Sequence, residues 1–128
     1  MNEKRLYPRH SCNMKVRISW YEGDPDKVDI HTAAPAKGKG TILDISRGGI
    51  FVATDSRLSV NTVIEVEFKT KTELFSLMGS VVRTGLLQNN PSDVVQKYAS
   101  MKIREDSYIA VQFTQPLDFL DEEDLQQI

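Results

Sequence analysis

One cysteine, Cys12, excludes an intramolecular disulfide, and one cysteine with two distant histidines, His10 and His31, supplies no structural zinc site. No apolar run approaches the ~20 residues of a bilayer-spanning helix, so membrane insertion is not expected. The start, Met-Asn-Glu-Lys-Arg, is charged with no apolar stretch behind it, so no secretory signal is visible and a cytoplasmic location is expected. An excess of charge is missing too: 16 basic against 18 acidic side chains give a net charge of -2. That balance, with an isoelectric point near 5.7, counts against a nucleic acid polymer as ligand. The chain also lacks Gly-x-Ser-x-Gly, Gly-x-x-x-x-Gly-Lys-Ser/Thr and His-Glu-x-x-His, so no enzyme is expected. Gly38-Lys39-Gly40 falls short of a dinucleotide fingerprint because position 43 is Leu43. Asp29-Ile30-His31 offers two metal-capable side chains with no third ligand nearby, so no metal is expected.

What is present is an ordinary globular composition, 40% hydrophobic and 27% charged over 128 residues, enough for one domain with one core. The near-zero charge is a sum of unlike parts. Residues 1–17 carry Lys4, Arg5, Arg9, Lys15 and Arg17 against Glu3, whereas residues 117–128 carry Asp118, Asp121, Glu122, Glu123 and Asp124 with no base. A basic start on a neutral body suits an anionic ligand; two solvated ends account for the same charges.

The periodicity is that of strands. From Asn13 to Tyr21, Met14, Val16, Ile18 and Trp20 alternate with Lys15, Arg17 and Ser19, the pattern of a half-buried strand. Residues 22–40, rich in Pro, Gly, Asp and Lys, read as a long loop. Thr41–Ser46 and Ile50–Thr54 are short apolar runs split by Arg47-Gly48-Gly49, a turn signal because glycine accepts positive φ. Thr62–Thr70 alternates with Ile64, Val66 and Phe68 inward, and Leu74–Leu86 and Ser107–Phe113 complete six strands. Pro91-Ser92 suits a helix start, with Val94, Tyr98 and Met101 at helical spacing. Beyond Pro116, Leu120, Leu125 and Ile128 share a helical face that Asp121 can cap. The expected organisation is a flexible basic segment at 1–12, an antiparallel barrel or sandwich over 13–116 and an acidic helix over 117–128, with closure into a barrel removing exposed edges.

Two motifs stand out. Arg5-Leu6-Tyr7-Pro8-Arg9 is an Arg-x-x-x-Arg pair on a segment that Pro8 stiffens, since it fixes its own φ and biases Tyr7 toward extended geometry. Asp44-Ile45-Ser46-Arg47-Gly48-Gly49 reads Asp-x-Ser-x-x-Gly across a strand-to-turn junction, with Asp44 and Ser46 on one strand face. A shuffled chain of this composition gives the first pattern roughly 0.4 times and the second roughly 0.04 times, so the second is the more specific. An Asp inside an apolar strand also needs a reason, because burial of an unpaired carboxylate is costly. One reason is a ligand; the other is a turn cap of the Asx type, with Ser46 assisting and Arg5 paired to the acidic tail.

At these residues the sequence resembles the PilZ domain family, which carries Arg-x-x-x-Arg ahead of its first barrel strand and Asp/Asn-x-Ser-x-x-Gly some thirty to forty residues later. The resemblance extends through Ile50-Phe51-Val52, Gly79-Ser80-Val81-Val82-Arg83 and Tyr108-Ile109-Ala110-Val111-Gln112-Phe113. It implies a six-stranded antiparallel β-barrel with a short C-terminal helix and a receptor for cyclic di-GMP, which is a ligand and not a cofactor. Arg5, Arg9, Asp44, Ser46 and Gly49 are the binding residues it implies, with Lys4, Arg47, Gly48 and Arg83 as secondary candidates. Arg47 reads equally as a phosphate contact and as a solvated turn residue.

The chemistry fits such a ligand. An arginine fork binds phosphate oxygens, or guanine O6 and N7, bidentately, and a carboxylate accepts from guanine N1–H and its amine. The resemblance further implies a signal passed by contact to a protein partner not identified here, in bacterial motility, biofilm or secretion control. The rival expectation is a nucleotide-independent PilZ-like adaptor of pilus or flagellar machinery.

Overall fold

A computed structural model describes residues 7–21, 34–89, 95–96, 106–118 and 120–125. Lys4, Arg5, His31, most of the anticipated loop, the Pro91-Ser92 helix start and Ile128 lie outside the described residues. Six strands, β1 (His10–Trp20), β2 (Ala36–Ser46), β3 (Gly49–Thr54), β4 (Val63–Lys69), β5 (Leu74–Leu86) and β6 (Ser107–Phe113), close into an antiparallel barrel in the order β1-β2-β3-β6-β5-β4. The barrel and its six antiparallel strands are as expected. Among the described residues no helix is long and apolar enough to cross a membrane.

The alternation in the sequence becomes the inner and outer walls. Met14, Val16 and Ile18 from β1, Ile64, Val66 and Phe68 from β4, and Ile109, Val111 and Phe113 from β6 all point into one core. Two boundaries differ from expectation. β1 begins at His10, because His10 and Ser11 pair with Ile45 and Asp44 across a bulge that precedes Met14. The anticipated 22–40 loop also gives up Ala36–Gly40 to β2, which pairs continuously with β1 from Trp20↔Ala36 to Val16↔Gly40. Glycine hides this strand from the sequence because the inward positions there, Gly38 and Gly40, have no room for a side chain: a Cβ on Gly40 would lie 2.7 Å from Val52 Cγ1.

β3 is buried on both faces, which explains its unbroken apolar run. Its outward residues Phe51 and Ala53 join Leu43, Leu87 and Val95 in a second cluster outside the barrel, packed by Tyr108 and Ala110. Phe51 and Tyr108 stack with centroids 4.8 Å apart. Val95 and Gln96, the two described residues of the segment after β5, are helical and place Val95 in this cluster.

The described part of the acidic C-terminus is a single 3-10 turn, Glu122–Asp124, rather than a full helix. Asp121 caps it, its carboxylate accepting from Glu123 N at 3.0 Å. The turn is fastened to the β4–β5 connection: Thr72 donates to Asp124 Oδ2 at 2.8 Å, Thr70 donates to the same oxygen, and Lys71 N donates to the Asp124 carbonyl at 2.9 Å. Leu125, which follows the turn, is fully buried in the same core cluster as Leu117. The Asp124 carboxyl is held below its ordinary value, chiefly by the Thr70 hydrogen bond.

Candidate ligand-binding site

The bulge between Ile42 and Asp44 in the β2–β3 pairing inserts Leu43 and sets Asp44 and Ser46 on the outer wall, opposite Phe51 and Gly49. Arg9, one residue ahead of β1, reaches across to this face. Its Nε donates to Asp44 Oδ2 at 2.8 Å and its Nη2 pairs with the same oxygen. The two side chains are 32% and 24% exposed, so the pair sits at the surface with access from solvent. Residues 35 apart in sequence, one from each motif, are thereby joined directly. The unpaired carboxylate that the sequence made conspicuous has a basic partner.

Ser46 Oγ accepts from Gly48 N at 3.2 Å and so braces the turn, the assisting role open to it from sequence. That bond uses the hydroxyl only as an acceptor, leaving its proton available as a donor. Gly49 is required by space: a Cβ there would run into the Val111 carbonyl, with Val111 C at 3.2 Å and Gln112 Cα at 3.4 Å. Neither Gly48 nor Gly49 lies in the left-handed region, so the turn reading from positive φ is corrected to one of close approach by β6 and by Tyr7. A Cβ on Gly48 would meet Tyr7 Cδ2 at 3.1 Å.

Arg47 is neither a bare turn residue nor an unoccupied cation. Its Nε donates to the Leu117 carbonyl at 2.7 Å, Leu117 N returns a bond to the Arg47 carbonyl at 2.8 Å, and the guanidinium lies 4.8 Å from the centroid of the Tyr7 ring. Phe113 N donates to the Gly48 carbonyl at 2.9 Å. The motif turn is thus clamped from three sides, by Tyr7, the end of β6 and the start of the C-terminal segment. Tyr7 and the Leu117 carbonyl escaped the sequence reading. For Tyr7 the available signal was its place between the two arginines, ahead of the stiffening Pro8.

Arg83 is exposed on β5 in the lateral row Asp44–Phe51–Ala110–Arg83, all outward-facing. Three inter-strand steps separate β5 from β2 in either direction round the closed barrel, so Arg83 stands on the opposite side from Asp44. The structure does not bring it to the Arg9–Asp44 pair, and Lys4 and Arg5 lie outside the described residues. Behind the site, Cys12 donates to the Ile42 carbonyl at 3.6 Å. Burial, and then the charge of Asp44, push its thiol up to about 12, so it fills space as a neutral group. Among the described residues no three His, Cys, Asp or Glu side chains group to hold a metal.

The site therefore offers an arginine fork, an acceptor-rich carboxylate and a free hydroxyl proton on the rim of a rigid turn, with a stacked aromatic pair beside it. Comparisons with known proteins bear on what such a rim serves. The PilZ domain family model matches residues 3–128. No curated protein matches the sequence. Among solved structures, the inhibitor of motility MotI/DgrA of Bacillus subtilis superposes with a TM-score of 0.57 at 15% identity, over 91% of this chain and 46% of that one. The PilZ domain of YcgR from Escherichia coli, solved with c-di-GMP, superposes with a TM-score of 0.53 at 10% identity, over 88% of this chain and 79% of that one. Both likenesses are of fold.

Proposed function

The chain belongs to the PilZ family, and from that premise we propose that it is a cytoplasmic receptor for cyclic di-GMP, without catalytic activity, that passes its signal to a protein partner. The observation that carries the reading is the Arg9–Asp44 pair, which joins the two motifs on an open part of the barrel wall. Cyclic di-GMP presents phosphates and guanine edges together. A phosphate takes the Arg9 fork while guanine N1–H and its amine donate to Asp44, so one internal pair is exchanged for two sets of charge-assisted bonds. The spare proton of Ser46 serves guanine O6 or a phosphate oxygen. Arg5 adds the second fork of its motif, with Lys4 beside it, while Arg83, across the barrel on β5, takes no part.

Gly49 contributes through the fold, by letting β6 close behind the turn, and Gly48 by seating Tyr7. Arg47 keeps the turn in place through its Nε, and its terminal nitrogens serve a phosphate oxygen. The mechanism is a shift in the arrangement of the N-terminal segment against the barrel, with ligand favouring the arrangement in which the arginines close over it. The motility inhibitor and the c-di-GMP-bound domain among the structural neighbours make motility the first process to test. Nucleotide-independent adaptor function is the competing reading, favoured by the counter-charge that Arg9 and Asp44 give each other.

Isothermal titration with cyclic di-GMP separates the two. Losing a charge-assisted contact of about 1.5–3 kcal/mol weakens binding roughly ten- to a hundred-fold, so Arg9→Ala and Asp44→Ala are each expected to lose at least that much affinity. An exposed ion pair contributes at most about 1 kcal/mol to stability, so both variants stay folded. No heat from the wild-type protein at micromolar concentration rejects the receptor reading in favour of the adaptor, whereas full affinity in both variants keeps the ligand and rejects the Arg9–Asp44 site.

A further inference from the structure

Among the described residues the large apolar side chains left in water are Tyr21, Val60, Val63, Leu74, Met78 and Val82, each 40–65% exposed. Scattered exposed apolar residues are normal, but these share one wall. Val63 is on β4, and Leu74, Met78 and Val82 are on β5. Tyr21 follows Trp20, which pairs with Ile64, so the register continues to set Tyr21 beside Val63. Val82 is outward because it is the extra residue of the bulge between Val81 and Arg83. The turn bearing Val60 is pinned to β5 by Asn61 N to Val81 O at 2.7 Å and Val81 N to Thr62 O at 2.9 Å, with Asn61 in the left-handed region at a φ of 76°.

Charges are ordered beside this patch. The next outward residues of β4 are Glu65, opposite Met78, and Glu67, opposite Ser76. On their other side stand Ser19 and Arg17, followed by Lys37 and Lys39 on β2. A cleft of about 590 Å³ runs between the carboxylates and these cations. Arg17 sits opposite Lys39, a like-charge pairing that costs stability, and its nearest carboxylate, Glu67, is 4.0 Å away. Across four strands the wall reads apolar, acidic, basic, with Lys69 ending the β4 row opposite Leu74.

We propose that this wall docks a helix of a protein partner, its apolar ridge seated on Val63, Met78 and Val82 and its basic edge facing Glu65 and Glu67. A helix about 10–12 Å wide spans two inter-strand spacings of about 4.8 Å, so a ridge over β5 sets its flank over the β4 carboxylates. An anionic membrane surface is opposed by Glu65 and Glu67 at the centre of the wall. A second copy paired two-fold about β5 brings β6 over β4, and the outward residues of β6, Tyr108, Ala110 and Gln112, carry no charge to meet the carboxylates. A basic edge on the partner complements Glu65 and Glu67. In the closed order β4 lies three strands from β3 in either direction, so the docking wall is opposite the motif site and both can be occupied at once. The surface stands whether or not the motif site takes cyclic di-GMP, and the calorimetric result above leaves it untouched.

The test places a photo-crosslinking phenylalanine analogue at position 63 or 78 of the full chain in the source cells, with position 96, beside the cluster that covers the outer face of β3, as control. One and the same protein is expected from positions 63 and 78 and not from 96, through a peptide with an apolar ridge and adjacent Lys or Arg. Combined Glu65→Lys and Glu67→Lys is expected to cut the yield about tenfold or more, as is Met78→Ser with Val82→Ser, with unchanged thermal melting because all four side chains are on the outer wall. Crosslinks to the chain itself, recovery only in lipid, equal yield at position 96, no crosslink, or yields that both sets of substitutions leave unchanged each overturn the proposal.

Discussion

Gly49→Ala tests whether the last glycine of the Asp-x-Ser-x-x-Gly motif serves the barrel rather than a ligand. The added methyl is driven into the Val111 carbonyl on β6, with Val111 C and Gln112 Cα at 3.2 and 3.4 Å behind it, all of it backbone that no rotamer change relieves. β3 and β6 must part locally by about 1 Å to restore van der Waals contact. Parting strands by that much stretches bonds of about 2.9 Å past hydrogen-bonding range. The pairing at Gly49↔Gln112 and the neighbouring Phe113 N to Gly48 O bond bear the strain. Two backbone bonds at about 1 kcal/mol each give a loss of about 2 kcal/mol, within the roughly 1–3 kcal/mol usual for overpacking. For a domain of this size that lowers Tm by about 8 °C. Gly48→Ala is the internal control, because its methyl meets the edge of the Tyr7 ring, a side chain that can swing away. Differential scanning calorimetry of both variants without ligand reads the contrast. A Gly49→Ala melting point within about 2 °C of wild type, or one no lower than that of Gly48→Ala, refutes the steric account and returns Gly49 to the ligand.

The C-terminal clamp gives a signed pH dependence. Since the folded Asp124 carboxyl is held below its ordinary 3.8, its contribution to stability is present above that value and is lost as the pH falls through the lower folded value. In urea titrations between about pH 2 and 6, the stability difference between wild type and Asp124→Asn is expected to be largest at the upper end and to shrink with acidification. A difference that grows with acidification contradicts the Thr70 and Thr72 bonding. Cys12, pushed up to about 12, is expected to resist iodoacetamide at pH 8 in the folded protein and to react once the chain is unfolded in urea. Labelling of the native protein at the rate of a free thiol shows that the thiol is neither buried nor neutral.

Much of the barrel was legible because the strands alternate. Met14, Val16 and Ile18 against Lys15 and Arg17, or Ile64, Val66 and Phe68 against Glu65 and Glu67, declare an inner and an outer face without any knowledge of partners. The alternation fails where a second demand is laid on the same residues. Ala36–Gly40 looks like a loop because its inward positions must be glycine to clear β3 and the turn after it, and β3 looks featureless because a second apolar cluster covers its outer face. The C-terminal segment carried a helical pattern, but hydrogen bonds from Thr70, Lys71 and Thr72, some fifty residues away, hold its described part in one 3-10 turn.

The sequence by itself determined the strand count, the inner face of most strands and the two motifs, since each depends only on residue type and short spacing. What each motif residue touches was decided by tertiary structure alone. Arg9 meets Asp44 because β1 and β2 are neighbours with a bulge in their register, and Arg47 is spent on Leu117 because β6 delivers the C-terminal segment to the same turn. The gathering of exposed apolar residues on the β4–β5 wall is likewise invisible along the chain, because closure of the barrel, not proximity in sequence, pairs the end of β1 at Trp20 with Ile64 on β4 and sets that wall opposite the motif.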